Sequence, residues 1–361
     1  MSAAGDPVLR RMAHTVLMPG FAGTAAPSWL ARAVDEGVGA VLYFAHNLAD
    51  DPARLSAELR SLRPDLLTAS DEEGGRVSRL HAAGTSSNPC PHPGHGELGR
   101  GSPDRTRRAA AAMGRELAAA GIGAALAPVA DLASDPRNTV IGDRSFGADP
   151  KPVAAHTAAF VEGLHAAGVA AAAKHFPGHG DTATDSHLGL PVVTADAATL
   201  RSRELVPFSA AVAAGTDMVM TGHLAVPALD TAPASVSARC YELLREGLGF
   251  EGVAVTDALD MRGLSAHTGA ADRIQGVALG AAAALAAGAD LLCLGNPAQD
   301  AGIAAGAVET GTAAHVADEA LFTAARDAVL AALDRQSLPA GRLAEAAGRV
   351  ERLLAQRTPP P

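Results

Sequence analysis

Between Lys174 and His187 the sequence gathers one lysine, three histidines and two aspartates: Lys174-His175-Phe176-Pro177-Gly178-His179-Gly180-Asp181-Thr182, then Asp185-Ser186-His187. Two chemistries suit such a stretch. His175, His179, Asp181, Asp185 and His187 are all metal-ligand types, but a His-x-x-x-His pair shows both rings on one face only in a helix, and Pro177-Gly178 breaks that helix. The alternative is acid–base catalysis by a histidine held by a carboxylate. Asp185 and His187 are two residues apart, so an extended or turn segment sets them on one side, where the carboxylate would fix the ring tautomer and raise its basicity. The second chemistry is preferred, and no metal is expected.

Three further stretches carry polar chemistry. Asp71-Glu72-Glu73-Gly74-Gly75-Arg76-Val77-Ser78-Arg79 sets three acids beside two glycines and two arginines, either as a solvated, salt-bridged loop or as a ligand contact. Asp131 is followed by Arg137-Asn138 and by Ile141-Gly142-Asp143-Arg144-Ser145-Phe146-Gly147. A buried arginine there would suit hydroxyl or carboxylate recognition, with pairing to Asp131 or Asp143 as the structural alternative. Asp257 ends an apolar run, where it either points into a cavity or caps the next helix. Asp260 falls about a turn later, solvated or paired with Arg262.

These stretches need a scaffold that brings them together. Short apolar runs rich in β-formers recur at 15–18, 38–44, 66–69, 124–129, 169–175, 218–221, 253–256 and 290–294. Helical patterns at 52–62, 103–120, 152–167, 197–214 and 271–287 fill the gaps, several ending at Gly121, Gly168, Gly215 or Gly288. Eight strands alternating with helices predict an α/β fold, a single (β/α)8 TIM-type barrel, whose active site lies beyond the strand C-termini, where the polar stretches fall. A doubly wound open sheet is the alternative, but no G-x-G-x-x-G follows any strand. The whole chain, 1–361, is expected to be one catalytic barrel domain. Residues 315–356 read as C-terminal helices packed on it, interrupted at Ser337-Leu338-Pro339.

Composition narrows the function classes. The 361 residues are 48% hydrophobic and carry a net charge of −10, which disfavours a nucleic-acid binder. Three isolated cysteines, Cys90, Cys240 and Cys293, argue against a disulfide framework or a Cys-rich zinc site. No apolar run is long enough to span a membrane and the N-terminus does not read as a secretory signal, so a soluble, cytoplasmic protein is expected.

Taken together, the blocks 71–79, 128–150, 174–191 and 252–261 resemble glycoside hydrolase family 3, and specifically its β-N-acetylglucosaminidase branch. The resemblance runs from about residue 38 to 296, with the four blocks in order. It implies a retaining mechanism in which Asp257 is the nucleophile and His187 the acid/base, oriented by Asp185. Asp71, Arg79, Arg144, Lys174 and His175 would grip the sugar, and His223 would line the site. Glu72 stands where many relatives carry Gln, a departure expected to affect loop packing; Ala258 replaces an acid found beside the nucleophile in some members.

The expected activity is exo-acting removal of terminal β-linked GlcNAc from muropeptides or chitooligosaccharides, a small carbohydrate substrate, with no cofactor. Protein partners are not legible. A phosphorylase on the same site is the nearest alternative, since a histidine acid/base presents less negative charge to phosphate than a carboxylate would. A β-glycosidase of different sugar preference, a sugar-binding protein without turnover and a metal-dependent hydrolase are the others.

Overall fold

The computed structural model describes residues 2–82, 90–182, 189–295 and 312–357. Its strands, in chain order, are β1 (Leu17–Met18), β2 (Ala40–Tyr43), β3 (Leu67–Ser70), β4 (Glu72–Gly74), β5 (Val77–Ser78), β6 (Ala124–Ala125), β7 (Ala170–Phe176), β8 (Met218–Thr221), β9 (Ala225–Val226), β10 (Asp230–Pro233), β11 (Val253–Thr256) and β12 (Leu292–Cys293). Each of the eight apolar runs contains one strand of a curled parallel sheet. β4–β5 and β9–β10 are additional short antiparallel pairs inserted after β3 and β8.

Six strands form one ladder in the order β2-β3-β6-β7-β8-β11, and β1 pairs with β12 in a second. The order follows the chain without reversal, so the switch point that a doubly wound sheet requires is not observed. Single bridges join Gly20 to Leu42 and Val255 to Leu291 between the two ladders. The continuous eight-stranded ladder expected from the sequence is thus divided. β1, β6 and β12 are only two residues long and contribute little regular pairing.

Alternation along the strands sorts side chains into two buried layers. Ala40 and Leu42 face an inner cluster with Met18, Ala69, Ala124, Leu126, Met220 and Val255, while Val41 and Tyr43 face an outer cluster shared with the helices. Both faces being covered explains why the runs are apolar throughout rather than alternating. The inner cluster also takes Val350, Leu353 and Leu354 from the helix Ala340–Arg357. A Cβ on Gly39, just before β2, would lie 2.8 Å from Leu354, so this helix covers the N-terminal end of the sheet.

The helices start and stop by local chemistry. Asp51, Ser102 and Asp149 accept from backbone N–H groups at the starts of Pro52–Leu62, Pro103–Ala119 and Pro150–Ala166, with proline at the first turn of each. Gly121 and Gly168 follow two of these helices at φ +75° and +76°, a left-handed turn that sends the chain into the next strand. The two expected C-terminal helices are Thr312–Asp334 and Ala340–Arg357, parted at Ser337-Leu338-Pro339. Among the described residues, no helix is long and apolar enough to cross a membrane.

Candidate active site

The polar stretches meet at the C-terminal ends of the strands. A cleft of about 200 Å³ is lined there by Asp71, Arg79, Arg144, Lys174, His175 and Asp257, together with Glu73, Met261 and Cys293. A larger groove, about 590 Å³, lies among Ala4, Arg10, His14 and Glu36. It lies away from the strand ends and holds no comparable set of buried charges.

The cleft wall is an ion network built around Glu73 and Lys174. Lys174, in β7, is only 2% exposed and sits 2.7 Å from Asp71 and 2.8 Å from Glu73. Arg144 grips Glu73 through two bonds, Nε to Oε2 at 2.8 Å and Nη2 to Oε1 at 2.7 Å. Arg79 approaches Asp71 at 3.4 Å. Burial alone would raise the Asp71 carboxyl, but Lys174 and Arg79 outweigh it and bring it down to about 2. Glu73 likewise opposes burial with Lys174 and Arg144 and lies well below its ordinary value. Both carboxylates therefore stay charged, and Asp71, the less buried of the two, can accept hydrogen bonds from hydroxyls.

Arg144 pairs with neither Asp131 nor Asp143. Asp143 instead meets Arg76 at the exposed rim, and Asp131 turns to the histidine stretch. Its buried carboxylate accepts from His175 Nδ1 at 2.6 Å and from the His179 backbone N–H at 2.7 Å. The His175 backbone N–H adds a third donor at 3.1 Å. Burial would raise Asp131, yet the two histidines hold it below its ordinary value. Burial lowers the His179 ring, and the nearby His175 lowers it further.

The loops after β6 and β7 are fastened together beneath these groups. Asn138 donates to the His179 carbonyl at 2.8 Å and accepts from the Ile141 N–H at 2.9 Å. A Cβ on Gly180 would overlap the Leu132 carbonyl oxygen, so only glycine permits this approach. Glu72, by contrast, faces away from the cleft wall. It accepts from Ser78 and from the Arg79 and Leu80 N–H groups, fastening the helix Arg79–Ala82, which fits a packing role.

Asp257 follows β11. Its N–H donates to the Thr221 carbonyl at 2.9 Å, and its Oδ1 accepts from the Ala258 N–H at 2.8 Å. The next helix, Arg262–Thr268, is preceded by Met261 with no side-chain cap, so Asp257 is not a helix cap. Asp260 pairs with Arg273 at 2.8 Å, not with Arg262. His223 is fully buried behind the cleft, its ring bridging Ser235 Oγ at 2.7 Å and the Ala258 carbonyl at 2.8 Å. It supports the backbone next to Asp257 and is not among the cleft-lining residues. Asp185 and His187 lie outside the described residues.

Two central residues, Glu73 and Asp131, were not singled out by sequence reasoning. Glu73 stood unmarked within an acidic run, and Asp131 was weighed only as a partner for arginine. Burial was the missing signal, since both are at most 1% exposed and their partners lie far away in sequence.

Comparisons with known proteins agree with this geometry. Residues 24–350 match the glycosyl hydrolase family 3 N terminal domain. A beta-hexosaminidase of Xylella fastidiosa is 41% identical over 258 residues, covering 68% of this chain and 75% of its own length. One of Pseudomonas aeruginosa is 37% identical over 284 residues, covering 75% of this chain and 79% of that protein. Among solved structures, a glycoside hydrolase family 3 beta-N-acetylglucosaminidase from Paenibacillus sp. superposes with a TM-score of 0.84 at 36% identity, over 97% of this chain. The chain spans 62% of that structure's length.

Proposed function

The chain belongs to glycosyl hydrolase family 3, and we propose that it is a retaining β-N-acetylglucosaminidase releasing terminal β-linked GlcNAc. The observation that carries the reading is the location of Asp257 at a strand end, in the same small cleft as a fixed set of charged groups, Asp71, Glu73, Arg144 and Lys174. The hexosaminidase names of the curated relatives support the sugar. A cleft of about 200 Å³ is smaller than the roughly 300–1,000 Å³ of a drug-sized site and suits one ring, hence exo action.

In this reading Asp71 accepts from ring hydroxyls, Lys174, Arg144 and Arg79 donate, and Glu73 holds Lys174 and Arg144 in place. Asp257 attacks the anomeric carbon and forms a glycosyl-aspartate ester as the bond to the leaving oxygen breaks. His187 gives that oxygen a proton and then takes one from the water that hydrolyses the ester, with Asp185 holding its ring. The roles of Asp185 and His187 rest on the family resemblance. The relatives' names favour water over phosphate as acceptor. We also read the eight strands as one closed barrel, with the whole chain, 1–361, as its catalytic domain. Cytoplasmic muropeptides or chitooligosaccharides would be the substrates.

The test is hydrolysis of an aryl β-N-acetylglucosaminide, with intact mass measured after a rapid acid quench. Wild type should turn over and accumulate a species heavier by one N-acetylhexosamine residue, and Asp257→Ala should do neither. Free sugar as the product in phosphate buffer supports hydrolysis, whereas a sugar phosphate would support phosphorolysis. Undiminished turnover by Asp257→Ala would refute the nucleophile assignment.

A further inference from the structure

We propose that His81, His92 and Glu116 form a binding site for a divalent ion of the zinc class, outside the cleft. His81 Nε2 and His92 Nε2 approach the same atom, Glu116 Oε2, at 3.3 and 2.6 Å. One ligand atom from each residue lies within 4.8 Å of the other two. Two imidazole nitrogens and a carboxylate oxygen are a zinc donor set, with a fourth position left for water. Donors held tetrahedrally at about 2.1 Å from one ion stand roughly 3.4 Å apart. The His81 spacing already meets that distance, and His92 needs to open by less than about 1 Å.

The surroundings fit an ion. The rings meet edge to face, 63° apart with centroids at 5.9 Å, so they do not stack, and both Nε2 atoms are directed at the carboxylate. The side chains of His92, His81 and Glu116 are 15%, 22% and 41% exposed, leaving room for entry and a bound water. The plain alternative is a hydrogen-bonded His–Glu–His triad that takes no metal.

The three ligands come from three segments. His81 lies on the helix Arg79–Ala82 after β5, and Glu116 on Pro103–Ala119. His92 lies on a loop whose carbonyl accepts from the Gly75 N–H in the β4–β5 connection at 2.9 Å. Arg79, which lines the cleft, stands two residues before His81. An ion would therefore clasp the segment bearing Arg79 to the wall helix, as a structural metal rather than a catalytic one. The inference is independent of the glycosidase reading.

The test is calorimetric titration of EDTA-stripped, dialysed full-length protein with zinc chloride. His81→Gln, His92→Ala, Glu116→Gln and the cleft variant His175→Ala are run in parallel, each checked for folding by circular dichroism. Wild type and His175→Ala should bind one equivalent and gain Tm; the other three should bind at least tenfold more weakly and lose the gain. Absence of a one-equivalent site in wild type, its survival in Glu116→Gln and His92→Ala, or its loss in His175→Ala would overturn the proposal. Should the variants misfold, the visible spectrum of cobalt-loaded wild type decides. Strong tetrahedral bands support the site, and only weak six-coordinate bands refute it.

Discussion

His175 Nδ1 lies 2.6 Å from Asp131 Oδ2, and the same carboxylate accepts the backbone N–H groups of His175 and His179. One buried acid thus fixes both a cleft-lining ring and the turn that follows β7. With Nδ1 donating to Asp131, the imidazole presents Nε2 to the cleft, so Asp131 acts on substrate only through His175.

Asp131→Asn should retain the shape but lose a charge-assisted hydrogen bond, about 1.5–3 kcal/mol. We expect kcat/KM for an aryl β-N-acetylglucosaminide to fall by roughly 10- to 100-fold. A glutamate at the same position should fail to rescue, for want of space around a fully buried carboxylate. Unchanged kinetics in Asp131→Asn would remove the positioning role.

Glu73→Gln leaves Lys174 and Arg144 without their shared counter-charge. Breaking a buried pair costs about 3–5 kcal/mol. Urea unfolding should register a loss of that order, and KM should rise because Arg144 loses its charged partner and Lys174 keeps only Asp71. A denaturation midpoint equal to wild type would contradict an ion network centred on Glu73.

In the proposed mechanism, Asp257→Asn removes the attacking oxygen while conserving volume. Turnover should fall by a factor on the order of 10³ or more, as for other lost nucleophiles. Tm should move little, since the bonds of Asp257 to the Ala258 N–H and the Thr221 carbonyl survive the change. Loss of activity with a large drop in Tm would point to a structural role instead.

Stability should fall on mild acidification, for a reason distinct from the acidic cleft. Burial lowers His95 from 6.5 to about 4. Its contribution is full above pH 6.5 and is lost as pH falls from there towards 4, because only the unfolded chain takes up the proton. Asp71 and Glu73, whose folded values are depressed, contribute fully above about pH 4 and weaken below it, Asp71 down to about pH 2. Denaturation midpoints measured from pH 7.5 to 4.5 should therefore decline in wild type and decline less steeply in His95→Gln. Parallel slopes would exclude His95 as a source.

Leu354→Ala opens space against Gly39 in the inner cluster. The cost should be about 2–5 kcal/mol by urea unfolding, with kcat unaffected because the residue lies at the opposite end of the sheet from Asp257. A change below about 1 kcal/mol would show that the last helix does not seal the interior.

Legibility in the sequence followed the range of the physics. Helix Pro52–Leu62 begins and ends where its Asp51 cap and its apolar spacing place it, because capping acts over a few residues. The eight strands were marked by apolar runs, since both faces of a curled sheet are buried. The inserted pairs β4–β5 and β9–β10 were missed, being two to four residues of mixed polarity. Partner choice was the least visible level. Arg144 had acids at positions 131 and 143 close by in sequence, yet it bonds Glu73, 71 residues away, because Lys174 already holds that acid in the cleft wall. His223 was recognisable as a residue near the site, but only the structure shows its ring turned to Ser235 and the Ala258 carbonyl.

The helix that covers the N-terminal end of the sheet acts as a stopper for its inner layer. The inner layer there includes the small residues Ala40, Ala124 and Ala170, and Val350, Leu353 and Leu354 supply the bulk that these strands lack. A chain cut before Val350 would therefore expose the apolar interior of its sheet to solvent, a surface of the kind that chaperones bind.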